Sequence, residues 1–131
     1  MIKTKSVSSA IEPRKDGLRI LVARFRGRGV PASRYDVWMA NLGPSEKLLR
    51  AVHDGKIAWS DFARQYRAEL FLGGAIDSRN ASIKNHGQKF TLRLVKQLAR
   101  EGDVTLLCHC AEQEKHCHRH LLQALILSAR V

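Results

Sequence analysis

The segment that decides the fold runs from Val104 to Leu127 and reads VTLLCHCAEQEKHCHRHLLQALIL. It begins with a β-branched and aliphatic run, Val104 to Leu107, which predicts a short buried strand. It ends in an apolar run that predicts a buried helix from about His118 to Ala129. The loop between them, residues 108–117, contains all three cysteines of the chain, and the stretch Cys108–His120 contains four of its six histidines. In open α/β sheets, ligands bind at loops that leave the carboxyl ends of strands.

Apolar runs elsewhere predict further strands and helices on both sides of a sheet. Residues 1–7 and Arg19–Ala23 are strand candidates, and the near-continuous apolar character of the second is typical of a parallel sheet. Ser45 is a favoured N-cap, and Ser60 begins another helix. Residues 75–87 predict a loop. The helices are expected to bury these side chains: Leu48, Leu49 and Val52; Phe62, Tyr66 and Leu70; Phe90, Leu94, Val95 and Leu98.

These elements predict a single α/β domain over residues 1–131, with a small, mostly parallel sheet flanked by helices. No apolar run approaches the length of a membrane span, and the N-terminus has no secretory signal pattern. We therefore expect a cytoplasmic protein with no membrane partner. An odd number of cysteines in that compartment favours free thiols or metal ligands over a disulfide framework.

The charge of the chain points to an anionic partner. The formal net charge is +11, and residues 1–35 hold nine of the 23 basic residues but only two of the 12 acidic ones. An excess of this size favours nucleic acid or nucleotides as partners, although it also suits a solvated basic surface.

A second candidate loop, residues 24–31, follows the predicted strand Arg19–Ala23. Arg24, Arg26 and Arg28 occupy alternate positions there, beside the glycines at 27 and 29. Guanidinium groups bind phosphate in pairs, and glycines let backbone N–H groups approach an anion. If the two strands are parallel neighbours, the arginine loop and the cysteine loop open at the same edge of the sheet and form one basic cleft.

The cysteine loop also has the residue types of a thiol catalyst. Cys117 lies where the last helix should begin, beside His118 and Arg119, and both the helix dipole and these neighbours are expected to lower its thiol pKa. Cys108 is the other candidate, and His118 is a candidate general base. The Cys-to-Arg spacings of nine and two residues do not fit the loop of cysteine phosphatases. Cys108 is equally suited to packing as a small buried hydrophobe.

Metal binding is the alternative for the same residues. Cys108, Cys110, Cys117 and His118 supply enough soft ligands for zinc, and Cys108 and Cys110 point to the same side of an extended strand. Structural zinc sites usually combine two separated knuckles, whereas this chain has one cluster. No cofactor is predicted in the primary interpretation, and zinc is the cofactor of the alternative.

The ordered set of motifs resembles the DUF488 family, a group named for its unknown function. The matching pieces cover nearly the whole chain: Arg19-Ile20-Leu21-Val22-x-Arg24 with Arg28-Gly29; Trp38; Leu42-x-Pro44-Ser45-x-x-Leu48; Phe62-x-x-x-Tyr66-x-x-Glu69-Leu70; Val104 to Cys108; and Cys117-His118-Arg119. The resemblance implies a compact Rossmann-like core and no established reaction. Three departures stand out: Gly27 where relatives commonly have proline, Ala23 where they often have aspartate, and the additional Cys110.

Together these patterns predict binding of a phosphate-containing ligand, a nucleotide or nucleic acid, beside the Cys/His cluster. The expected ligand contacts are Arg24, Arg26, Arg28, Gly29 and Arg119. Thiol-dependent catalysis through Cys117, Cys108 and His118 is one option, and a non-catalytic nucleotide or nucleic-acid sensor is another. The sequence leaves the oligomeric state open. For Trp38 and Tyr66, packing is favoured over a place in the cleft.

Overall fold

The computed structural model describes residues 1–74, 78–79, 82 and 85–131. Within these residues four parallel strands form one sheet in the order β1-β4-β2-β3. The strands are β1 (Ile2–Ser6), β2 (Leu18–Leu21), β3 (Val37–Trp38) and β4 (Val104–Cys108). The predicted parallel sheet is thereby confirmed. The two-residue strand β3 was not predicted.

The described residues contain five helices, which connect and cover the strands: α1 (Pro13–Asp16), α2 (Glu46–His53), α3 (Trp59–Leu70), α4 (Lys89–Glu101) and α5 (His118–Leu127). Short 3₁₀ turns occupy Ala32–Arg34 and Ala40–Leu42. The predicted loop 75–87 lies mostly outside the described residues. Among the helices of the described part of the chain, none is long and apolar enough to cross a membrane.

The pleat of the strands divides the core between the two faces of the sheet. Ile20 and Leu106 point to the face covered by the longer helices, whereas Leu21 and Leu107 point to the opposite face, against Val7. The five residues of β4 are all buried, as expected for a central strand.

The buried face of helix α4 was predicted correctly only for Val95. Leu92 is buried with it, while Phe90, Leu94 and Leu98 are exposed. The helix carries two apolar stripes, one on each side, and the sequence alone does not say which stripe meets the sheet. The predicted core residues of α3, namely Phe62, Tyr66 and Leu70, are buried as expected.

Candidate functional site

The parallel pairing of β2 and β4 brings the arginine loop and the cysteine loop to the same edge of the sheet. Leu21 pairs with Leu107, so both strands end at the same level. Two side chains of the cysteine segment then reach the chain after β2. His109 Nε2 lies 2.9 Å from the carbonyl oxygen of Phe25, and His118 Nε2 lies 2.7 Å from that of Val22. The predicted convergence of the two loops is confirmed.

The three thiols meet at the carboxyl end of β4. Cys108 and Cys117 are 4% and 2% exposed, whereas Cys110 is half-buried. The Sγ atoms of Cys108 and Cys110 lie 3.9 Å apart. All three cysteines are free. The sulfurs of Cys108 and Cys117 and a ring nitrogen of His118 all lie within 4.8 Å of one another.

The imidazole of His118 is held in one orientation by its two nitrogens. A carbonyl oxygen only accepts, so Nε2 carries the proton that is donated to Val22. Nδ1 therefore presents a lone pair to the sulfur of Cys108, 3.8 Å away. Burial lowers the pKa of His118, which favours this neutral form. The side chain that the sequence suggested as a general base thus faces the thiols.

The three neighbouring thiols differ in pKa. Hydrogen bonds from Cys108 and Cys117 lower the pKa of Cys110. Donation to Cys108 and Cys110, together with burial, raises the pKa of Cys117, and donation to Cys110 raises that of Cys108. The expectation that the helix N-terminus lowers the pKa of Cys117 was wrong. Cys117 does lie at the N-cap of α5, but its side chain is enclosed by the other two sulfurs.

Arg119 holds the cysteine loop from beneath. It is 1% exposed, and its guanidinium donates to the carbonyl oxygens of Cys110, Ala111 and Glu112 at 3.0–3.2 Å. Its Nε is buried without a partner in the described residues. The structure therefore gives Arg119 a role in fixing the loop, in place of the ligand contact that the sequence suggested.

The three arginines of the loop after β2 are engaged to different degrees. Arg24 turns inward and donates to the carbonyl oxygens of Gly43 and Pro44. Arg26 is exposed but is tied to the hydroxyl of Tyr35, 2.6 Å away, and to the carbonyl of Val30.

Arg28 and Gly29 are the exposed part of this loop. Within the described part of the chain, no hydrogen bond or ion pair occupies Arg28. Gly29 has φ +74 and open space where a side chain would stand. A ligand at this edge would thus meet Arg28 first, with Arg26 beside it.

Two exposed aromatic side chains at this edge were not predicted as site residues. Phe25 is 52% exposed, and Trp38 is 43% exposed, with its indole N–H donating to the carbonyl of Ala23. The preference for packing was therefore wrong for Trp38. The signal for Phe25 was its place between two arginines, where a core residue is unusual.

Tyr66 and Glu69 support the site from α3. Tyr66 is fully buried, donates to the carbonyl of Leu42 at 2.5 Å and meets the ring of His118 edge-on. Packing was the correct prediction for this residue, and burial raises its pKa. Glu69 accepts hydrogen bonds from the backbone N–H and the hydroxyl of Ser45, which caps α2.

Comparisons with known proteins place the chain in a family. Residues 2–130 match the family model described as "Active DUF488-N3 subclade". The uncharacterized protein YeaO of Escherichia coli (strain K12) is 37% identical over 71 residues, which is 53% of this chain. The match spans 61% of the length of that relative. No solved structure matches the chain. Because the family model covers almost every residue, the chain belongs to the DUF488 family.

Proposed function

We propose that the edge formed by the arginine loop and β3 binds a phosphate-bearing ligand, either a nucleotide or a strand of nucleic acid. One observation carries the proposal: this edge exposes a cation, Arg28, and the rings of two aromatic side chains, Phe25 and Trp38. Phosphate groups pair with guanidinium, and bases stack on exposed aromatic side chains. A surface that offers both suits a single-stranded nucleic acid or a free nucleotide.

The charge distribution supports the same ligand. The chain carries a net charge of +11, which raises the local concentration of polyanions. Arg26 remains solvent-exposed beside Arg28. Gly29, with no side chain in the way, lets a phosphate approach the backbone.

The first test is binding of a fluorescein-labelled single-stranded oligonucleotide, followed by anisotropy at several salt concentrations. Arg28→Glu should weaken binding strongly and reduce the slope of log affinity against log salt by about 1. Arg100→Glu is the matched control, since it makes the same charge change in the last turn of α4, at the opposite edge of the sheet. If the two variants lost the same amount of oligonucleotide affinity, the effect would be one of net charge and the proposed site would be refuted.

The second test concerns stacking. Phe25→Ala should cost about 1–3 kcal/mol of binding free energy. Phe90→Ala removes a ring of similar exposure, 55%, from the outward face of α4 and should leave binding unchanged. Competition with ATP then distinguishes a nucleotide site from an extended strand site. Failure of both probes to bind would end the proposal.

A thiol-dependent reaction at Cys110 is a second candidate function. The observation that favours it is exposure: Cys110 is the cysteine that reaches the surface, while Cys108 and Cys117 are buried. Iodoacetamide labelling followed by peptide mass spectrometry should modify Cys110 first. Equal labelling rates for the three cysteines, or faster labelling of Cys117, would remove this candidate.

Because free thiols persist in reducing compartments, we also propose that the protein is located in the cytoplasm.

A further inference from the structure

Ligand atoms of cysteine and histidine converge at the end of β4 at separations typical of a metal site. In a tetrahedral zinc site, Zn–S bonds of about 2.3 Å and Zn–N bonds of about 2.0–2.1 Å separate two sulfurs by about 3.8 Å and a sulfur from a nitrogen by about 3.6 Å. Here Cys108 and Cys110 are separated by 3.9 Å, and Cys108 lies 3.8 Å from Nδ1 of His118. The sulfur of Cys117 lies within 4.8 Å of the Cys108 sulfur and of a ring nitrogen of His118. Cys110 joins these three residues through its 3.9 Å contact with Cys108.

The orientation of His118 is the one that metal-binding histidines adopt. Such a histidine usually donates its second ring N–H to a carbonyl or carboxylate, which fixes the tautomer and the ring plane. His118 donates Nε2–H to the carbonyl of Val22 and turns Nδ1 toward the sulfurs. Tyr66 packs edge-on against the ring and restricts its rotation.

Arg119 supplies a positive charge beside the cysteine sulfurs and fixes the loop that carries them. Three thiolates and a divalent ion carry a net charge of −1, which a buried guanidinium compensates. Arg119 lies under this loop and fixes the carbonyls of Cys110, Ala111 and Glu112, so the ligands are arranged in advance.

We infer that Cys108, Cys110, Cys117 and His118 form a binding site for a soft divalent transition metal, with Zn²⁺ as the first candidate. Three sulfurs and one imidazole nitrogen form a soft ligand set, which selects zinc over the hard cations Mg²⁺ and Ca²⁺. The site is separate from the proposed anion contacts of Arg28, Phe25 and Trp38. A bound ion makes Cys110 a ligand, so the thiol reaction considered above would belong to the metal-free protein.

The experiment uses the full chain, purified without a histidine tag from medium containing zinc. Elemental analysis should find one equivalent of zinc. Titration of the metal-free protein with Co²⁺ should give the intense thiolate charge-transfer and d–d absorption of tetrahedral cobalt. A thiol reagent should modify Cys110 slowly in the zinc-loaded protein and faster after EDTA has removed the metal. Less than about a tenth of an equivalent of zinc, together with no cobalt spectrum, would overturn the inference.

Variants separate this site from the proposed anion site. Cys110→Ser and His118→Ala should lose the cobalt spectrum, whereas His120→Ala, two residues farther along α5, should retain it. Retention of the wild-type spectrum by both cluster variants would overturn the inference. Arg28→Glu should keep full metal content while losing the oligonucleotide, so the two proposals fail independently. Thiol protection in the wild-type protein decides the matter if a cluster variant does not fold.

Discussion

Gly27 lies against the imidazole of His109, where the loop after β2 meets the loop after β4. A Cβ atom at position 27 would stand 2.7 Å from Cε1 of that ring, and Gly27 has φ +87. Proline cannot adopt a positive φ. A proline at position 27 would therefore not fit this loop, and the imidazole of His109 packs where a side chain at that position would stand.

Gly27→Ala should destabilise the protein through both the backbone and the collision. Gly29→Ala is the matched control, because φ is +74 there but the space is open, so only the left-handed conformation costs free energy, about 1–2 kcal/mol. In urea unfolding, the free energy of unfolding of Gly27→Ala should be clearly lower than that of Gly29→Ala. Adding His109→Ala to both variants should reduce this difference. Equal stabilities of the two alanine variants would mean that the His109 side chain moves away from position 27 at no cost in free energy.

Arg119→Lys should unfold more readily than the native protein. The shorter ammonium side chain cannot reach the carbonyls of Cys110, Ala111 and Glu112 together, and each lost hydrogen bond from a charged donor costs about 1.5–3 kcal/mol. Arg100→Lys, an exposed change, should stay within about 0.5 kcal/mol. If Arg119→Lys kept its stability but lost oligonucleotide binding, Arg119 would be a ligand contact after all.

The cap of α2 and the carboxylate of Glu69 should act as one unit. Ser45 Oγ accepts from the N–H of Leu48 at 3.2 Å, while its backbone N–H donates to Glu69 at 2.9 Å. Ser45→Ala should cost about 0.5–2 kcal/mol of unfolding free energy. A double-mutant cycle with Glu69→Gln should give a coupling of about 0.5–3 kcal/mol. Strict additivity would contradict the contact.

Asp16 should make stability depend on pH in the acid range. Burial raises the pKa of this carboxyl, but hydrogen bonds from Glu12 and Lys5 and the charges of Lys5 and Arg19 outweigh it, so the folded-state pKa lies below 3.8. The unfolded chain therefore binds the proton first as pH falls. The stabilisation is fully present above the unfolded pKa and is lost as pH falls through the folded value.

Urea unfolding of wild-type and Asp16→Asn protein, from neutral pH downward, measures this contribution. At neutral pH the variant should be less stable by about 3–5 kcal/mol, because Arg19 loses its buried partner. The two stabilities should converge on acidification. Parallel curves over the whole range would exclude Asp16 as the source of the pH dependence.

The sequence predicted the elements whose signals are local and continuous. The apolar run of β4, the cap Ser45 and the start of α5 at His118 all have such signals. The two-residue strand β3 has none, since it exists through its pairing with β2. The face of α4 was mispredicted because Leu92 and Leu94 are equally apolar, and only packing against the sheet chooses between them.

The sequence predicted which residues come together at the site but not how their side chains are oriented. The order of the strands placed the two loops together, as the sequence implied. Whether Arg119 points out of the protein or under its own loop depends on the path of residues 109–117, which no periodicity encodes. The same holds for Cys117, whose enclosure by two other sulfurs outweighs the helix N-terminus.

The stacking of His116 on Trp59 provides an intrinsic optical probe of the cysteine loop. The two rings are nearly parallel, with centroids 4.8 Å apart, so the imidazole covers a fluorophore on α3. Any displacement of the loop, by an ion, an alkylated thiol or a bound strand, uncovers the indole and changes its emission. With Trp38 replaced by phenylalanine, Trp59 is the remaining tryptophan of the chain. Motion of the thiol-bearing segment can then be followed by fluorescence without any attached label.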